Sequence, residues 1–160
     1  MLEACCGSTA WVNGMVERRP FATLPLLLDT ADRLWWSLST DDWHEAFDHH
    51  PRIGETNAAV AQSETARGWS AGEQRSATMA PADVRRALAN GNREYERRFG
   101  HIYLVFATGK TAEEMLALLR ARLHNDSETE LRVAAGEQAK ITRSRLQKMF
   151  GGDPSGASAT

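Results

Sequence analysis

The sequence predicts an all-α protein, a single-domain helical bundle of about seven to nine helices with one short buried extended segment. Three observations point there. Apolar residues recur at three- and four-residue intervals along most of the chain, the spacing that gathers them on one face of a helix. Helix-start signals, a Ser, Thr or Asp followed within a turn by Pro or Glu, punctuate those stripes. A single run, His101–Ala107, is rich in β-branched and aromatic residues, so no second strand of that kind exists to pair with it.

Taken in order, Ser8 caps a short helix with Trp11, Val12 and Met15 inward, and Pro20 forbids its continuation. Thr23 and Pro25 suit the N-cap and first turn of the next helix. Its Leu24, Leu27, Leu28, Ala31, Leu34, Trp35 and Leu38 form a broad apolar stripe. Thr40 or Asp41 caps a third helix carrying Trp43, Ala46 and Phe47. Pro51 biases His50 away from helical angles, so that helix stops near Asp48. Glu55–Arg67 reads as a surface helix ended by Gly68, and Ser70 with Glu73 as a capping box opening another short helix.

Pro81 starts a longer helix with Val84, Leu88, Tyr95 and Phe99 on one side, closed by Gly100. Thr111 with Glu114, and Ser127 with Glu130, read as two further capping boxes. They open helices carrying Met115, Leu116, Leu119 and Leu123, then Leu131, Ala134, Ile141, Leu146 and Met149. Gly151 ends the last one. The domain therefore runs over 1–151, and 152–160, made largely of Gly, Ser, Ala and Pro, is expected to be a disordered tail. His101–Ala107 becomes a buried extended segment whose backbone N–H and C=O groups need partners, and a ligand can be one of them.

Composition narrows the function classes. The chain has 160 residues, 42% hydrophobic and 25% charged, with a formal net charge of −2. A chain of this size buries ~70% of its unfolded surface, enough to need no metal or disulfide staple. The balanced charge leaves no footprint for nucleic acid or an anionic membrane, and no apolar run approaches a spanning length. Arg85, Arg86, Arg93, Arg97 and Arg98 are interleaved with Glu94 and Glu96, which reads as a solvated helix face. Cys5 and Cys6 are adjacent and have no other cysteine to pair with, which fits a reducing compartment. The expected location is the cytoplasm.

Two apparent motifs fail on inspection. Gly109-Lys110-Thr111 resembles the end of a phosphate-binding loop, but Leu104 stands where that motif needs glycine. His44-Glu45 resembles the start of a zinc-protease helix, but the fourth residue on is Asp48 rather than histidine. No metal is expected, and the five tryptophans suit core packing better than a cofactor box.

A few polar residues remain. His50, oriented by Pro51, is either a solvated loop histidine or a proton-transfer group, since its pKa suits proton movement near neutrality. Ser70 and Glu73 are either the capping box above or part of a site. Gln74 reads as an exposed helix residue, and Arg145 as a last-turn arginine answering the helix dipole.

Five segments in order give these residues a context. CCGSTAWVNGMVERRPF at the N-terminus, HPRIGE at His50–Glu55, SAGEQ at Ser70–Gln74, NREYERRFGHIYLVFATGKTAEEML and EQAKITRSRL together resemble the OHCU decarboxylases, over essentially the whole folded chain. OHCU is the urate-derived 2-oxo-4-hydroxy-4-carboxy-5-ureidoimidazoline. The resemblance implies an all-α fold, a homodimer, no metal or organic cofactor, and conversion of OHCU to (S)-allantoin. It implies His50 and Glu73 as catalytic residues, with Pro51, Ser70 and Gln74 lining the substrate. Backbone groups of His101, Ile102, Tyr103, Leu104 and Val105 would meet the ring, and Arg145 would hold an anionic or carbonyl edge. Many relatives have Phe-x-Phe where this chain has His101-Ile102-Tyr103, so backbone contacts carry over there and side-chain roles do not.

The implied chemistry is consistent with those residue types. One substrate carbon bears both hydroxyl and carboxylate beside a C=N bond, which accepts the electron pair left by CO2. The substrate is its own electron sink, so the protein must orient it, help the hydroxyl become a carbonyl and deliver a proton to one face. A histidine and a carboxylate can do both proton jobs, with Glu73 either holding the His50 tautomer or relaying the proton. Two rival readings are an enzyme of the same fold acting on another ureido or imidazoline acid, and a non-catalytic helical binding module.

Overall fold

The computed structural model describes residues 1–54 and 64–151. Among them lie nine helices and no strand: α1 Leu2–Cys5, α2 Thr9–Glu17, α3 Leu24–Ser37, α4 Thr40–Asp48, α5 Glu64–Glu73, α6 Arg75–Thr78, α7 Ala82–Phe99, α8 Ala112–Arg122 and α9 Ser127–Phe150. The all-α expectation holds. No helix among the described residues is long and apolar enough to cross a membrane.

Most predicted caps are present. Ser8 accepts from the Trp11 N–H, Thr23 from Leu26, and Thr111 forms a full capping box with Glu114. Gly100 closes α7 at φ +77, in the left-handed region that suits glycine. α4 ends at Asp48 as Pro51 requires.

Several local expectations are corrected. Ser39, not Thr40 or Asp41, caps α4, in a capping box with Asp42. Asp126 rather than Ser127 caps α9, because its carboxylate reaches the Thr129 N–H at 2.9 Å while Glu130 turns into the core. Gly68 lies inside α5 with open space around it, a position where glycine costs only about 1 kcal/mol. Ser70 and Glu73 form the last turn of that helix instead of opening a new one. Residues 55–63 of the predicted surface helix, and the 152–160 tail, lie outside the described residues.

Two apolar cores hold the helices. The first joins Trp11 and Met15 of α2, Leu28 and Trp35 of α3, Phe47 of α4 and Ile141 and Leu146 of α9. Buried indoles there each find a carbonyl, Trp11 on Ala31 at 3.1 Å, Trp35 on Ala135 at 2.9 Å and Trp43 on Trp35 at 3.0 Å. The second joins Leu88 and Tyr95 of α7 to Met115 and Leu119 of α8.

The extended run divides the two cores. Ile102, Leu104 and Phe106 belong to the first, and Tyr103, Val105 and Ala107 to the second. That is the two-residue alternation of a strand, used as a partition without a sheet. Side chains replace the missing ladder: Arg122 Nη1 donates to the Leu104 carbonyl at 2.7 Å. The Phe106 N–H donates to Glu137 at 2.6 Å, and Lys110 Nζ to the Phe106 carbonyl at 2.7 Å. Arg122 is fixed by Glu130, at 2.6 Å from Nη2, and Glu130 also accepts from Tyr95 and Asn125.

Candidate active site

The loop after α4 brings His50 inward. Its N–H donates to the Phe47 carbonyl at 3.0 Å, extending the last helical turn, and Gly54 at φ +82 turns the chain away. Three residues hold this loop. Gln74 donates to the Pro51 carbonyl at 3.2 Å and accepts from the Gly54 N–H at 3.3 Å. Asn92 donates to the Ile53 carbonyl at 2.9 Å, and Arg52 pairs with Glu96. Gln74 is thus a buried brace rather than an exposed helix residue.

His50 is buried, and its Nε2 lies 2.7 Å from Gln138 Oε1 of α9. Burial, aided by the Arg145 guanidinium, presses its pKa down to about 3, so the ring is neutral at physiological pH. On the far side, Arg145 meets Glu73 through two bonds, Nε to Oε1 at 3.1 Å and Nη2 to Oε2 at 2.8 Å. The same guanidinium donates to Ser70 Oγ at 3.1 Å and to the Ala4 carbonyl at 3.1 Å. Arg145 is 3% exposed, so it is a core arginine and not the surface last-turn residue that its position suggested. Lys148, 3.9 Å from Glu73, is the more exposed cation of that turn.

These residues border one narrow cleft of about 10 Å³, room for about one water molecule. Of the predicted site residues, His50, Pro51, Ser70, Glu73, Gln74, Tyr103, Leu104 and Val105 line it. Arg145 stands behind Glu73. His101 does not reach the cleft: its ring packs among His44, Phe47, Tyr95 and Phe99, and Ile102 packs in the first core. Ile53, Phe106, Ala107 and Ile141 complete the described lining and escaped sequence reasoning. So did Gln138, although a polar residue three before core Ile141 on one helix face was a usable signal. No group of three or more His, Cys, Asp or Glu among the described residues is placed to hold a metal.

The site can therefore present a neutral imidazole, a carboxylate fixed by an arginine, and peptide groups of an extended segment to a small ligand. Comparison with known proteins gives the family. The family described as OHCU decarboxylase matches residues 1–147. The uric acid degradation bifunctional protein TTL of Arabidopsis thaliana is 36% identical over 149 residues, 92% of this chain and 46% of its own. The uric acid degradation bifunctional protein of Bacillus sp. (strain TB-90) is 26% identical, over 89% of this chain and 28% of its own. The chain thus spans less than half the length of these curated relatives. A crystal structure of an OHCU decarboxylase in the presence of (S)-allantoin superposes with a TM-score of 0.80 at 34% identity, over 94% of this chain and 96% of that one. A crystal structure of an (S)-allantoin synthase, 17% identical, shares the fold with a TM-score of 0.68, over 92% of this chain and 47% of that one. Matched from its first residue to 147, and with the helical order of that solved decarboxylase, the chain belongs to the OHCU decarboxylase family.

Proposed function

We propose that the chain decarboxylates OHCU to (S)-allantoin, with His50 and Glu73 as its catalytic groups. One observation carries the reading: a buried neutral histidine and an arginine-held carboxylate line the same small cleft. A structural chain has no need to bring both to one cleft, and a perturbed ionisable group there, as His50 is, marks a functional site. The 34% identical decarboxylase solved with (S)-allantoin supports the substrate class.

In this reading Pro51, Ser70 and Gln74 shape the cleft, and peptide groups of Tyr103–Val105 meet the ring. Electrons from the broken C–CO2 bond form a C=C bond as the adjacent C=N pair moves to nitrogen, which takes a proton from solvent. His50 then takes the proton of the enol hydroxyl as it becomes a carbonyl, and the C=C pair takes a proton on one face of the neighbouring ring carbon. Arg145 orients Glu73 and offers the positive charge nearest to an anionic edge. The working form is taken to be a cofactor-free cytoplasmic homodimer, with residues 1–151 as the catalytic unit; the family resemblance supports these points.

The test is His50→Gln, Glu73→Gln and the double variant, assayed on freshly generated OHCU. Each single change is expected to slow turnover by ~10²–10⁴-fold, the usual weight of an acid–base group. The double variant should be little worse than the worse single, since the two groups act as a unit. Near-normal turnover by Glu73→Gln would show the carboxylate to be only a structural partner of Arg145.

A further inference from the structure

The bond between His50 and Gln138 fixes more than the position of a ring. Gln138 is fully buried, and its amide bridges two partners, with Oε1 2.7 Å from His50 Nε2 and Nε2 donating to Thr142 Oγ1 at 3.0 Å. The amide lies with its carbonyl oxygen toward His50 and its NH2 toward the Thr142 hydroxyl oxygen. A carbonyl oxygen only accepts, which obliges His50 Nε2 to carry a hydrogen. A neutral imidazole has one N–H, and the lone pair is therefore on Nδ1.

We infer that Gln138 is a positioning residue for the reaction, locking His50 as the Nε2–H tautomer so that Nδ1 is its proton-accepting atom. The inference rests on the proposed decarboxylase reading for its catalytic meaning, but the tautomer itself does not. Glu73, whose described partners are Arg145 and Lys148, is free of this task. The chain Thr142–Gln138–His50 runs through α9, where Gln138 and Thr142 sit one turn apart. It sets the ring from behind, leaving the opposite nitrogen for a substrate hydroxyl. The step it serves is the collapse of the enol left by loss of CO2: Nδ1 takes the hydroxyl hydrogen, the oxygen forms its second bond to carbon, and the C=C pair takes a proton at the neighbouring ring carbon.

The test is long-range ¹H–¹⁵N NMR of the imidazoles in the full chain, with His50 assigned by its loss in His50→Gln. The expected spectrum shows a protonated Nε2 and an unprotonated Nδ1. Gln138→Met keeps size and removes the acceptor, so His50 should become a tautomer mixture, with kcat lower by ~10–100-fold and KM within about two-fold. Gln138→Glu still accepts, and should keep the Nε2 proton and recover turnover relative to Gln138→Met. If Gln138→Met does not fold, Thr142→Val releases the amide, and the same mixing is expected. A protonated Nδ1 in the unaltered chain, or an unchanged His50 spectrum in the foldable variant, overturns the assignment. A chain that forms no allantoin would instead sink the decarboxylase reading, and the spectrum would still decide the tautomer.

Discussion

Arg145 and Glu73 form a buried two-bond ion pair across 72 residues of sequence, at 2.8 and 3.1 Å. The pair ties α9 to the end of α5, and the Ala4 carbonyl on the same guanidinium brings in α1. A charge so placed is tolerable only while paired, and that makes the two partners unequal under substitution.

Arg145→Met leaves the Glu73 carboxylate, which is 10% exposed, only the 3.9 Å contact to Lys148, and should cost about 3–5 kcal/mol in a urea titration. Glu73→Gln leaves an amide oxygen for Arg145 and should cost about 1–2 kcal/mol. The opposite ranking would mean that the pair does not organise this end of the fold.

His50 makes stability depend on pH. Its folded pKa, about 3, lies below the ordinary 6.5, so between those values the unfolded chain binds more protons. The stability it contributes is fully present above pH 6.5 and is lost as pH falls toward 3, by at most about 1.4 kcal/mol per pH unit. In His50→Gln this part of the slope should vanish, as read by denaturation at pH 4, 5 and 7. A slope identical to that of the unaltered chain would show that the ring is not held neutral. Burial also changes the expected weight of His50 in folding, from a negligible loop side chain to about 1–3 kcal/mol for His50→Ala.

Glu130→Ala should destabilise by about 3–5 kcal/mol, because it leaves fully buried Glu130's partner Arg122 unpaired beside Tyr95. Arg122 holds the Leu104 carbonyl on the extended segment, so the loss should also weaken protection of Leu104–Phe106 amides in hydrogen exchange. Unchanged exchange there would detach the network from the partition between the cores.

Most of the helices were legible because stripe and cap agreed, as at Thr23 with Pro25 or Thr111 with Glu114. Reasoning from local pattern failed where a polar side chain left its local role for a distant partner. Ser70 and Glu73 have the spacing of a capping box, yet both turn to Arg145. Glu130 has the spacing of a box with Ser127, yet goes to Arg122. Such choices depend on residues 8 to 75 positions away, which periodicity does not report. The extended segment was legible as extended, but not its supports, since nothing in local periodicity ties Arg122, Glu137 or Lys110 to its backbone groups. His50 and Glu73 stood out only through the resemblance, and Gln138 not at all.

The most direct test of the account is the optical activity of allantoin formed from freshly oxidised urate, followed by circular dichroism with and without the chain. (S)-Allantoin is expected to accumulate optically pure and faster than in buffer, and Glu73→Gln to abolish the acceleration. Racemic product at the buffer rate from the folded, unaltered chain would contradict it.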